Sequence, residues 1–162
     1  MTPAQARELL MNLTPLRDDC GRLCAGACCH SLEGEETGML LFPGEEALYA
    51  SLPGFRMVET AEGTLLICSG TCDRSQRPLS CRLFPLLPVL RGDAVRVEMD
   101  ERARPVCPLV RYGKAGLSAE FAEAVEAVGK ALAEDPEQAA FLRQLTQTQD
   151  ELRALRSQLT GR

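Results

Sequence analysis

The sequence predicts an α+β protein: a small, irregular, cysteine-rich domain with short β-hairpins over residues 1–116, then a C-terminal two-helix hairpin over residues 117–162 packed on it as one compact unit. Three observations carry this. All eight cysteines fall at or before residue 107, and short β-prone runs lie among them. Beyond Gly116 the composition shifts to Ala, Glu, Gln, Leu and Arg with apolar residues at helical spacing. A length of 162 residues with 45% hydrophobic and 25% charged residues suits one globular unit, and aromatics at only 4% leave its core to Leu, Val and Ala.

Ala4 to Leu13 reads as a short helix with Leu9, Leu10 and Leu13 on one side and Pro3 tolerated in its first turn. The segment DDCGRLCAGACCH (18–30) follows, in which Gly21 and Gly26 permit tight backbone paths. Met39 to Phe42 is a brief apolar run, Glu45 to Ser51 a helical segment, and Pro53-Gly54 a turn. Phe55 to Val58 and Thr64 to Cys68, separated by a polar AEG stretch, read as a hairpin that delivers Cys68 at its end. Leu86 to Arg91 and Ala94 to Met99 flank Gly92-Asp93, the two-residue connection of a tight primed turn, and form the clearest hairpin.

Ser118 caps the first C-terminal helix, where Phe121, Val125, Val128 and Leu132 recur on one face. Asp135 caps the second, with Pro136 at its first position and Gln138 placed to complete a capping-box arrangement. Phe141, Leu145, Leu152, Leu155 and Leu159 approximate a heptad stripe interrupted by Thr148. Packing of this helix on the cysteine domain is the first expectation, and a homodimer through its stripe the alternative.

A formal charge of −5 with no Lys/Arg run argues against a nucleic-acid partner. The longest apolar stretch, Leu83 to Leu90, is broken by Pro85 and Pro88 and falls short of the roughly 20 residues that span a bilayer, so no membrane partner is expected. The opening MTPAQARELLMNL lacks the basic and apolar regions of a secretory signal, so the expected location is cytoplasmic. In that reducing compartment a cysteine cluster points to metal or catalysis rather than to disulfides.

Cys20, Cys24, Cys28 and Cys29 crowd the first segment, and Cys68, Cys72, Cys81 and Cys107 follow. In a helical segment Cys20, Cys24 and Cys28 would share one face, with Cys29 about 100° away. Thiolates are soft anionic donors suited to zinc or an iron-sulfur cluster, and eight of them supply two closed tetrahedra. Adjacent Cys28 and Cys29 leave the backbone in different directions, so they are expected to serve different sites or to leave one free. Arg22, Arg74, Arg77 and Arg82 lie near these cysteines in sequence; Arg77 and Arg82, which flank Cys81, are the stronger candidates to offset thiolate charge. His30, the only histidine, is expected to make an ordinary polar contact rather than to bind metal.

The run CGRLCAGACC, then CSGTC, then RPLSCRLFP, then VCPL resembles the YkgJ family of zinc- or iron-chelating cysteine-cluster proteins across roughly residues 20 to 110. The shared features are the adjacent pair Cys28-Cys29, a Gly-x-Cys at Gly70 to Cys72, and an Arg-Pro-x-x-Cys-Arg-x-Phe motif from Arg77 to Phe84. The first cysteines here are spaced by three residues where the family commonly has two, and DRSQ (73–76) replaces an aromatic. The resemblance implies that all eight cysteines are metal ligands and that the partner is a metal ion, zinc or an iron-sulfur cluster. A structural or auxiliary role, without catalysis, is the leading expectation; the alternatives are an iron-sulfur redox or methyl-transfer enzyme and a metal storage or delivery protein.

Overall fold

Helix α1 (Pro3–Leu9) starts from a full capping box: the Thr2 hydroxyl accepts from the Gln5 N–H, and the Gln5 side chain accepts from the Thr2 N–H. In the computed structural model, which describes residues 1–30, 38–70 and 73–161, this helix stops four residues before Leu13 and passes into tight turns. Its inward face is Ala6 and Leu10, while Leu9 is exposed.

Helix α2 (Gly21–Cys24) and a 3₁₀ turn (Ala27–Cys29) carry the first cysteines. Strand β1 (Gly38–Leu40) then joins β2 (Phe55–Thr60) and β3 (Gly63–Cys68) in an antiparallel sheet of order β1-β3-β2, with helix α3 (Glu46–Tyr49) between β1 and β2. The expected hairpin is present and longer than its apolar runs, because polar Glu59 and Thr60 continue the ladder to a Thr60–Gly63 pair. Leu41, Tyr49 and Leu66 form a small apolar cluster between α3 and this sheet.

Helix α4 (Leu79–Leu83) leads into the hairpin of β4 (Leu86–Arg91) and β5 (Ala94–Met99), which turns at Gly92-Asp93 as expected, with Gly92 at φ +61°. Helices α5 (Ala119–Leu132) and α6 (Pro136–Thr160) both pack on this hairpin, α5 across both strands and α6 along β4. The architecture is α+β. One hydrophobic cluster runs from Ala6 and Leu10 through Leu79, Leu83 and Val89 to Phe121, Val128, Leu132, Phe141 and Leu145, so both halves of the chain share a core.

Both helix caps are in place: Ser118 Oγ accepts from Phe121 N–H, and the Asp135 carboxylate accepts from the N–H groups of Glu137 and Gln138. Gln138 does not complete a capping box. It is buried and its amide donates to the Pro43 carbonyl at 2.9 Å, which fastens the start of α6 to the loop after β1. The inward face of α6 is Phe141, Leu142, Leu145, Thr146 and Gln149. Its polar members are spent on hairpin backbone: Thr146 Oγ accepts from Leu90 N–H, and Gln149 pairs with Glu101 N–H and Met99 O. Beyond Gln149 the heptad stripe leaves the core, with Leu155 and Leu159 52% and 79% exposed. Arginines take over there, Arg153 pairing with Glu98 and Arg156 with Glu101. Among the described residues no helix is long and apolar enough to cross a membrane.

Candidate metal centre

The cysteine segment is a helix for one turn only. Cys24 donates its thiol to the Cys20 carbonyl at 3.6 Å, and the turn then ends at two consecutive left-handed residues, Ala25 (φ +51°) and Gly26 (φ +68°). An alanine rarely adopts that conformation. The reversal removes Cys28 from the face shared by Cys20 and Cys24 and places it with Cys29 on the following 3₁₀ turn. His30 closes the turn, its Nδ1 at 3.0 Å from the Gly26 carbonyl.

The other thiols arrive on three separate supports. Cys68 ends β3 opposite Phe55. Gly70 follows at φ +95°, and a Cβ there would stand 3.4 Å from the Cys29 carbonyl, so the glycine of the CSGTC motif lets this loop lie against the first cysteine segment. Cys81 sits mid-way along α4, whose start is fixed by Glu45: this fully buried carboxylate accepts from Leu79 N–H at 2.9 Å and Phe42 N–H at 3.0 Å. Cys107 lies between two 3₁₀ turns and donates its N–H to Ala103 O at 2.7 Å. Cys72 lies outside the described residues.

Two small cavities of about 60 Å³ each meet at these supports, room for a few ions or waters. The first is lined by Cys28, Cys29, Cys68 and Cys81, the second by Cys20, Cys24, Cys28, Cys81 and Cys107. Cys28, Cys81, Arg77 and Phe84 form their common wall. Cysteines 50 or more residues apart in sequence therefore face the same small spaces. Cys28 and Cys29 both line the first cavity, and Cys28 lines the second as well. Among the described residues, no group of three Cys, His, Asp or Glu side chains stands at the mutual spacing of a closed metal site.

The thiols are electrostatically distinct. The Cys28 thiol donates to the Cys29 sulfur, and this bond together with burial pushes Cys28 well above the usual thiol value. The same bond, helped by the charge of Arg77 and by His30, brings Cys29 down to about 6 against the effect of burial. Burial, then the neighbouring Cys24, raises Cys20, and burial raises Cys107.

The arginines divide by role. Arg82 is buried and donates to three carbonyls of the preceding turn, those of Arg74, Ser75 and Arg77. Arg7 donates to Ser75 O and Arg77 O, and Arg74 donates to Met11 O and Leu13 O, so the 74–77 turn is bolted to α1 and α4. Arg82 fastens the turn and also lines the second cavity, whereas Arg77 lines both cavities and acts on Cys20 and Cys29. Arg22 is exposed and lines neither cavity. Glu45 and Arg7 were not signalled by their sequence positions, because Glu45 reaches Leu79, 34 residues on, and Arg7 reaches the 75–77 carbonyls, 68 or more residues on; Phe84, the aromatic that ends the Arg-Pro motif, lines both cavities. Comparison with protein-family models, with curated proteins and with solved structures finds no match.

Proposed function

We propose that this chain is a metal-binding protein of the YkgJ type, holding zinc or an iron-sulfur cluster through its cysteine thiolates in a structural or auxiliary role. The observation that carries the reading is the convergence of Cys20, Cys24, Cys28, Cys29, Cys68, Cys81 and Cys107 on two adjoining cavities with Arg77 in their shared wall. The donor set fits the group in kind: thiolates are the ligands that zinc and iron-sulfur clusters take, and a guanidinium beside them offsets their accumulated charge. Binding draws the thiols inward and discharges their protons to solvent.

Packing supports the same reading. Residues 16–30 contribute no side chain to either hydrophobic cluster and include no buried residue, and Leu23 within them is 74% exposed. A segment with no apolar anchor needs another cross-link to hold it, and metal-ligand bonds supply folding free energy of that kind. The test is elemental analysis with an optical spectrum on protein purified without oxygen. Bound zinc with no visible absorption, or iron with acid-labile sulfide, supports the reading. Metal-free protein that keeps its full thermal stability and near-UV spectrum overturns it.

A further inference from the structure

Four consecutive carbonyls, those of residues 74–77, each accept from a side chain of another element. Arg82 Nη2 donates to Arg74 O at 2.9 Å and to Ser75 O at 3.0 Å, Arg7 Nη2 to Ser75 O at 3.1 Å, and Tyr49 Oη to Gln76 O at 2.9 Å. Arg77 O accepts from two guanidiniums, Arg7 Nε at 3.0 Å and Arg82 Nε at 3.1 Å. The donors come from α1, α3 and α4 and support one another. The Arg7 guanidinium lies 5.7 Å from the centre of the Tyr49 ring, and its Nε is 3.7 Å from the fully buried Glu45 carboxylate. Loop carbonyls ordinarily turn to water, and ordering long side chains to hold them costs entropy, so a turn held at every carbonyl is held for its position.

Arg77 is the residue that this fixes. The Gln76–Arg77 peptide is gripped on both sides, by Tyr49 at its carbonyl and by Arg74 O, which accepts from its N–H at 3.3 Å. Beyond Arg77 the chain is fixed again, because the Pro78 ring sets its own φ and Glu45 accepts from Leu79 N–H. The Arg77 side chain lines both cavities together with Cys28 and Cys81. We propose that Tyr49 is a positioning residue that acts with Arg7 and Arg82 as one clamp, holding the Arg77 charge at the cavity thiols before anything binds there. The clamp serves the metal-binding reading, in which Arg77 offsets thiolate charge, but it operates in metal-free protein and is tested there.

Two alkylating reagents of similar size, anionic iodoacetate and neutral iodoacetamide, read the field at a thiol. Both consume the same thiolate, so the ratio of their rates cancels ionisation and exposure and retains the local potential. Labelling of Cys81 is followed by mass spectrometry in reduced, metal-free protein at low salt. Arg77→Ala is expected to lower the ratio of iodoacetate to iodoacetamide rates about threefold, and Tyr49→Phe, whose ring keeps its packing against Phe55, about twofold. The double variant should fall no further than Arg77→Ala alone, because Tyr49 acts through Arg77. In about 1 M salt the differences should close. An unchanged ratio in Arg77→Ala or in Tyr49→Phe overturns the proposal, as does a double variant lower than Arg77→Ala. Where Tyr49→Phe fails to fold, Arg7→Lys decides in the same way, since it keeps the charge but loses the planar fork that reaches Ser75 O and Arg77 O together. Metal uptake with unchanged ratios overturns the clamp and leaves the metal-binding reading standing; the expected ratios in protein that takes no metal support the clamp and overturn that reading.

Discussion

Replacing Gly129 by alanine sets two known effects against each other at one carbon atom. Gly129 is buried in the last turn of α5, and in an isolated helix the change to alanine is favourable by about 1 kcal/mol. Here a Cβ would stand 2.6 Å from Pro88 Cβ, 3.1 Å from Val95 Cγ1 and 3.2 Å from Pro88 Cγ. Ordinary carbon contacts lie near 3.5–4.0 Å, so α5 must retreat by about 1 Å, and neither the proline ring nor its strand can yield as a flexible side chain would. The retreat loosens Phe121, Val125, Val128 and Leu132, which pack through the same helix. Overpacking costs about 1–3 kcal/mol, and a 2.6 Å approach to a proline ring belongs to the upper part of that range, about 2–3 kcal/mol, so against the helix gain of about 1 kcal/mol the net loss is about 1–2 kcal/mol. For a chain of this size that lowers the thermal midpoint by about 2–8 °C, readable by far-UV circular dichroism. A midpoint equal to or above that of the parent refutes the packing of α5 on the hairpin.

Glu45→Ala strips the acceptor from two buried N–H groups, those of Phe42 and Leu79; a destabilisation of about 2 kcal/mol or more is expected in denaturant titration, and none would mean that the carboxylate does not fix the start of α4. Burial raises Glu101, but Arg104 and Arg156 outweigh it and hold the carboxyl below its ordinary range. Its contribution is therefore present above the unfolded value near 4.3 and is lost as pH falls. Glu101→Gln should lower the midpoint near pH 7, with the difference shrinking as pH falls below the unfolded value toward the lower folded-state one; a difference that stays equal into strong acid contradicts the assignment. Arg77→Ala should weaken metal binding by about 10–100-fold in chelator competition while the thermal midpoint of the metal-free protein changes little, and an unchanged affinity removes Arg77 from the site.

Where one stretch of chain determines its own structure, the sequence was readable. Gly92-Asp93 between two β-prone runs specified β4 and β5 to the residue, and Ser118 and Asp135 marked the starts of α5 and α6. Features set by distant partners were not. Gln138 looked like a capping-box residue and instead meets Pro43, and no sequence signal pointed to Thr146 and Gln149, which satisfy backbone groups of Leu90, Met99 and Glu101. Leu155 and Leu159 fit a heptad by spacing, but α6 outruns the hairpin it packs on, so they extend past the core. At the site, the cysteines were visible in the sequence while their placement depended on Ala25, whose left-handed backbone no local pattern announces, and on a cavity wall that joins Cys28 to Cys81. Arg82 shows the limit of adjacency: it follows Cys81 directly, yet its guanidinium turns to the 74–77 carbonyls.

X-ray absorption at the edge of the metal that copurifies with the protein tests the central claim most directly. Thiolate ligation predicts a first shell made of sulfur, at about 2.3 Å for zinc, with no nitrogen or oxygen scatterers needed to fit it. A first shell of nitrogen and oxygen, or protein that retains no metal after desalting under anaerobic conditions, would contradict the assignment of these cysteines as a metal centre.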